Sequence, residues 1–402
     1  MTARKRAMPT KMTRMSQSAG PPKRRPRGRK QDILDAARGL FVEFGYPNVS
    51  MATIAEQVDI TAGALYRHYS NKAALLEAVF EDGFQLLIVP STSGSIDEFF
   101  DDAVRRDLEG KYIAELWRSE ARYLPAESQE VFRARLLNWT KCFSEMLLHQ
   151  RSDLSPIQSQ MIAWAVQSTL VRPQVVRSGL SNEHAREMVL GALGAIGDVE
   201  LLPFGERDSS GEENIPAVHS TRERLLLAAV QHFGENGFRA SSIIEIGTTA
   251  GVTGPNLYGH FADKKALFLE AFMRGVHASW IAMNRAVTAS QTAEERVWNV
   301  AREHVNLDKL WTQVRLNVTL DDDAIRAYMI REQSEYLSEW IEMLRTARPE
   351  FTKPEAHFRV LMAFTIVEDL QRTRFLTQRR GFRENLARLV AAVMLDHYST
   401  DR

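Results

Sequence analysis

Two matching sets of donor side chains stand out: Tyr66, His68 and Lys72, then Tyr258, His260 and Lys264. A phenol, an imidazole N–H and an ammonium at this spacing suit the oxygens of a phosphate backbone. The alternative for Tyr66 and Tyr258 is core packing beneath a surface helix. Just upstream of each set lie small or polar residues that suit base edges. The first copy offers Thr61, Ala62, Gly63 and Ala64, with Arg67 beyond them; the second offers Thr253, Gly254, Pro255 and Asn256, with Gly259 beyond. Arg67 can bind guanine through two hydrogen bonds and Asn256 can do the same to adenine. For either, a phosphate contact or a solvated side chain is the competing reading. The chemistry is recognition of a double helix, in which phosphate contacts position and base-edge contacts specify.

Such residues need a short helix to carry them. Residues 33–80 and 225–272 align without a gap at an offset of 192, and Ala37/Ala229, Phe41/Phe233, Gly45/Gly237, Ile54/Ile246, Leu65/Leu257 and Phe80/Phe272 are identical. Two copies indicate domain duplication, not a solenoid. Apolar residues at Ile33, Leu34, Ala37, Leu40, Phe41 and Phe44 recur at steps of three and four, which predicts a helix stopped by Gly45; Gly237 is its counterpart. Ser50 and Ser242 are predicted N-caps of a second helix, and Thr61 and Thr253 of a third. Asp59-Ile60 and Gly251-Val252 form the tight break between them. Asn71 and Asp263 cap a fourth. Two short helices joined by such a break are a helix-turn-helix, with the second helix the one that enters a major groove.

The stretches TIAEQVDITAGALYRHYSNK and EIGTTAGVTGPNLYGHFADK closely resemble the DNA-binding domain of TetR-family bacterial repressors. The resemblance covers residues 28–80 and 218–275. It supports the phosphate-contact role for Tyr66, His68, Lys72, Tyr258, His260 and Lys264. It also implies that each helical region behind a head binds an inducer and holds a dimer interface. The stretch EARYLP (Glu120–Pro125) is similar to that of TetR-like regulators of lipid metabolism, which implies a small apolar effector, acyl or lipid-like. Leu310–Trp311 and the run of aspartates after Leu320 depart from that pattern in the second half. Trp117, Trp139 and Trp164 are candidate pocket residues, with core anchoring as their other reading.

The expected fold class is all-α, with two tandem helix-turn-helix domains, each followed by a helical-bundle regulatory domain. The expected boundaries are a basic arm at 1–27, the first head at 28–80, its helical domain at 81–200, a linker at 201–217, the second head at 218–274 and its helical domain at 275–402. In ordinary family members two chains pair through their last two helices. Here the segments near Met188–Gly197 and Phe382–His397 are expected to pair within one chain as a pseudo-dimer, with a four-headed homodimer as the competing arrangement.

Charge agrees with a polyanionic partner. Lys and Arg total 51, balanced by 51 Asp and Glu, yet the first thirty residues hold eleven bases and no acid. The first head, with five basic and six acidic side chains, depends on that arm for non-specific affinity. The single cysteine, Cys142, leaves no Cys-based zinc site or internal disulfide and fits a reducing cytoplasm. No apolar run approaches the roughly 20 residues of a membrane span. H-E-x-x-H, G-x-S-x-G, P-loop and Rossmann patterns are absent, so the expectation is no enzyme, no cofactor and no metal. The expected function is a ligand-responsive repressor, cytoplasmic and nucleoid-associated. A second reading keeps one active head and uses the other half as an interaction scaffold, because Gly247 and Gly259 stand where the first copy has Ala55 and Arg67.

Overall fold

A computed structural model describes residues 28–85, 90, 94–108, 116–117, 120–170, 179–206, 219–252, 254–307 and 323–396. Among them the chain is all-α, with seventeen α-helices and no strand. In the first half these are α1 (Arg29–Phe44), α2 (Met51–Gln57), α3 (Ala62–His68), α4 (Lys72–Phe84), α5 (Ile96–Leu108), α6 (Ala126–Gln150), α7 (Pro156–Leu170) and α8 (Asn182–Asp198). The second half has α9 (Thr221–Ala240), α10 (Ile243–Thr249), α11 (Gly254–Tyr258), α12 (Lys264–Ala289) and α13 (Ala293–Asn306). It continues with α14 (Asp323–Ala347), α15 (Lys353–Gln371), α16 (Arg374–Thr377) and α17 (Phe382–Leu395).

Each head closes around its own core. Ile33, Phe41, Ile54, Leu65, Leu75 and Phe80 are fully buried together, and so are Leu225, Phe233, Ile246, Leu267 and Phe268 in the second. Ser50, Thr61, Asn71 and Asp263 cap their helices through the side chain, and Ser242 forms a capping box with Glu245. Asp59 and Gly251, equivalent at the offset of 192, both take positive φ, at 54° and 66°. The left-handed turn is thus the same in both copies, held once by Asp and once by Gly, which tolerate it. Gly251→Ala is expected to cost the second head about 1 kcal/mol while Asp59→Gly costs nothing, as thermal unfolding will show.

The copies part in two places. Gly45 (φ 78°) ends α1 as expected, but α9 runs through Gly237 to Ala240. Glycine permits a helix stop without enforcing one. The bolt between the first and last helices of the head also changes sign. In the first head Asp82 on α4 pairs with the buried Arg38 and accepts from Gln31 on α1 at 3.3 Å. In the second, the positions of Asp82 and Gln31 hold Arg274 and Glu223, whose side chains make a two-bond ion pair. Hydrogen bonding from Arg274 holds the Glu223 carboxyl below its ordinary pKa. A depressed carboxylate pKa stabilises the fold above the unfolded value of 4.5, and that stability is lost as pH falls below it through the folded pKa. Acid unfolding of the second head should therefore shift to lower pH dependence in Glu223→Gln, with the first head unchanged; hydrogen exchange of the α9 and α1 amides reads the two separately.

The duplication continues into the bundles, where sequence identity is lost. After α6, Arg151 donates to the carbonyl of Gly197 at 2.7 Å and pairs with Asp153. After α14, Arg348 donates to the carbonyl of Leu395 and pairs with Glu350 and Asp396. Each half thus closes the C-terminal end of its last long helix with an arginine, where a cation meets the free carbonyls and the negative dipole end.

The halves meet through α7 and α8 on one side and α15 and α17 on the other, and one apolar core runs through both. Residues 201–206 differ from the expected linker. Leu201 is buried, Asn385 of α17 brackets Leu202 by accepting from its N–H at 2.7 Å and donating to its carbonyl at 2.9 Å, and Gly205 N–H donates to Arg380. Asn385 is wholly buried and needs these partners, so this segment is docked onto the second half. Residues 207–218 lie outside the described residues.

Candidate nucleic-acid interface

In both heads the third helix has one buried and one exposed face. Leu65 and Leu257 point into the cores, and Tyr69 is buried beside Leu65. Tyr66 and Tyr258 are 52 % and 58 % exposed, so neither is the core anchor that was the alternative. Arg67, His68, Asn256, Gly259 and His260 are exposed beside them, as are Thr61 and Gly63, while Ala62 and Ala64 are half-buried. Thr61 spends its hydroxyl oxygen as acceptor from Ala64 N–H, yet remains at the exposed helix start. Thr253 lies outside the described residues, and Gly254 and Pro255 open α11. Seven-residue α3 and five-residue α11 are too short to stand alone and depend on the packing of one leucine and the helices around it, with a Thr61 cap on α3.

Lys72 and Lys264 do something the spacing did not reveal. Lys72 Nζ donates to the carbonyls of Tyr46 and Val49 at 2.7 and 2.9 Å and lies 4.2 Å from the Tyr46 ring centre. Lys264 Nζ donates to the carbonyls of Phe238 and Ser241, both at 2.9 Å, and lies 4.5 Å from the Phe238 ring. The acceptors sit 26 and 23 residues upstream in both copies. Each ammonium has three donors and two are already committed. These lysines clamp the chain entering the helix-turn-helix with two of their three donors, which adds a positioning role to the expected phosphate contact. Desolvation by burial lowers the Lys72 pKa.

Gly247 also changes meaning. A Cβ there would stand 3.0 Å from both Leu257 Cδ1 and the Val252 carbonyl. The glycine lets α10 and α11 approach closely and is no mark of a decayed head. At Gly259, by contrast, nothing closer than Asn256 O at 3.5 Å would meet a side chain, and the head simply lacks the group that Arg67 supplies. Arg29 is the first residue of α1 and donates to the Val58 carbonyl at the turn, at 3.3 Å. Residues 1–27 of the expected arm lie outside the described residues.

The three tryptophans offered as candidate pocket residues divide between two cores. Trp117 packs edge-on against Phe80 and Phe84 of the first head's core. Trp139 stacks on Phe143 in the central core, and Trp164 packs at the edge of that same core. Glu120 and Tyr123 of EARYLP touch the head: Glu120 accepts from Tyr46 N–H at 3.1 Å, and the Tyr123 and Tyr46 rings stack at 5.1 Å. This motif is a joint between body and head, and it meets the Lys72 clamp at Tyr46. Periodicity marks a residue as buried without saying which core receives it.

A family model described as bacterial regulatory proteins, tetR family, matches residues 33–79 and 225–271. The Tn10 TetC protein of Escherichia coli is 41 % identical over 59 residues, 15 % of this chain and 29 % of its own length. The transcriptional repressor AcnR of Corynebacterium jeikeium is 30 % identical over 90 residues, 22 % of this chain and 45 % of its own. The chain thus spans less than half the length of these relatives. A TetR-family regulator structure from Bordetella parapertussis superposes with a TM-score of 0.40 at 16 % identity, over 45 % of this chain and 97 % of that one.

Proposed function

From a chain that carries two tandem units of the tetR family, we propose a DNA-binding transcriptional regulator that reads one operator with two unlike heads. The observation that carries this is the pair of exposed third helices, each with a free Tyr and His, on heads joined to bodies that pack against each other within the chain. Tyr66, His68, Tyr258 and His260 hold phosphates. Arg67 and Asn256 read bases, with Thr61, Ala62, Gly63 and Ala64 or Thr253, Gly254 and Pro255 allowing close approach. A symmetric homodimer reads a palindrome because its helices are identical. Here Arg67 faces a half-site where a guanine is favoured, and Asn256 one where an adenine is favoured. Selection from random DNA is expected to return unequal half-sites about one helical turn apart. A perfect palindrome recovered by the monomeric chain would overturn the reading.

The arm adds non-specific affinity. Deleting residues 1–27 is expected to flatten the salt dependence of DNA binding, by roughly 0.9 in log–log slope for each phosphate it neutralises. An unchanged slope removes the arm from the interface. Repression follows the names of the matched relatives. A small apolar effector would act by preferring one spacing of the heads, as linkage requires, through the Glu120–Tyr46 joint in the first half.

A further inference from the structure

The interface between the halves carries a buried charged knob. Arg359 of α15 is 1 % exposed, donates to the Val393 carbonyl at 2.7 Å and pairs with Asp396 at 2.6 Å. Its guanidinium lies over Gly191 of α8, in the other half: a Cβ on Gly191 would stand 2.8 Å from Arg359 Nη2. One half supplies the knob and the other the notch.

The offset that aligns Pro156 with Pro354 and Asp198 with Asp396 is 198, and it makes Met161 the counterpart of Arg359 and Leu389 the counterpart of Gly191. Both counterparts are fully buried. The first half therefore has a notch but no charged knob, and the second a charged knob but no notch. Two first halves facing each other would set Met161 over Gly191 twice and leave space unfilled. Two second halves would press Arg359 against Leu389 twice and bury two cations without room for either.

We propose that Gly191 and Arg359 form a one-way lock that makes the first half's pairing face fit the second half of this chain and reject the same face of a second copy. The proposal rests on the pairing of the halves within one chain. It goes further by naming what enforces that pairing: complementary shape on one side and a penalised like-with-like contact on the other. The Asn385 bracket on Leu202 favours the cis partner, since it ties the outgoing chain to the same second half.

The test is a double-mutant cycle in the full chain with Gly191→Ala, Arg359→Met and both together, read by thermal unfolding and light scattering. Gly191→Ala alone is expected to lower Tm by roughly 5 °C, and adding Arg359→Met, which vacates the guanidinium's space, to recover most of it. Arg359→Met alone removes the penalty on self-pairing, so a species of twice the 45.6 kDa chain mass should appear on concentration. Additive Tm shifts, or an Arg359→Met protein with the same mass distribution as the wild type, overturn the lock. A wild type that is already a dimer overturns the two-headed single-chain reading instead, and the Tm cycle still decides the lock.

Discussion

Asp82→Leu is expected to melt the first head while leaving the second folded. Arg38 is 3 % exposed and held by Asp82 and Asp35, and Asp35 lies nearer to solvent. Removing Asp82 leaves the buried guanidinium with the more exposed Asp35 as its ion-pair partner, and the cost approaches the ~3–5 kcal/mol of breaking a buried pair. A small head has little surplus stability to absorb that loss. The measurement is hydrogen exchange of the α1 and α4 amides, with the α9 and α12 amides as internal control. Arg38→Leu combined with Asp82→Leu should recover much of the loss, because an apolar pair of similar volume carries no desolvation penalty. Equal protection in Asp82→Leu and wild type would show that the pair does not hold the head. The second head answers to Arg274 and Glu223 instead, since it has Val230 where the first has Arg38.

The largest effect on binding is expected from disabling one head without unfolding it. Tyr258 and His260 are exposed, so Tyr258→Ala with His260→Ala should leave thermal stability unchanged. On the proposed two-headed reading the second head's binding is intramolecular once the first has engaged, so losing it removes the gain from effective concentration, about 10²–10⁴-fold in affinity. Tyr66→Ala with His68→Ala should cost a similar factor. If the second-head variant binds its operator as tightly as the wild type, the second half is a scaffold and a single head reads DNA. The intact clamp at Lys264 and the close packing at Gly247 both favour a working second head.

The lysine clamp shows why side-chain roles were harder to read than helices. Lys72 sits in a motif full of phosphate donors, and by type alone it belongs with them. Its carbonyl partners lie 23 and 26 residues upstream, and no local spacing brings them into view. Trp117 and Trp139 pose the same problem, being apolar in similar helices yet packed in separate cores. The repeat in the bundles was hidden for a related reason. Its surviving marks, Arg151 and Arg348 on the last carbonyls of α8 and α17, are contacts and leave almost no shared sequence.

Sequence alone determined the all-α class, the duplicated heads and the capped helices. Those follow from local chemistry, in which a cap, a left-handed turn residue or an apolar step of three and four acts within a few residues. Tertiary structure alone decided which of the motif's donors face solvent, that Leu201–Glu206 is docked, and that Arg359 meets Gly191 across the halves. Each of these depends on which distant atoms arrive within hydrogen-bond or van der Waals reach, and that is settled only when the whole chain packs.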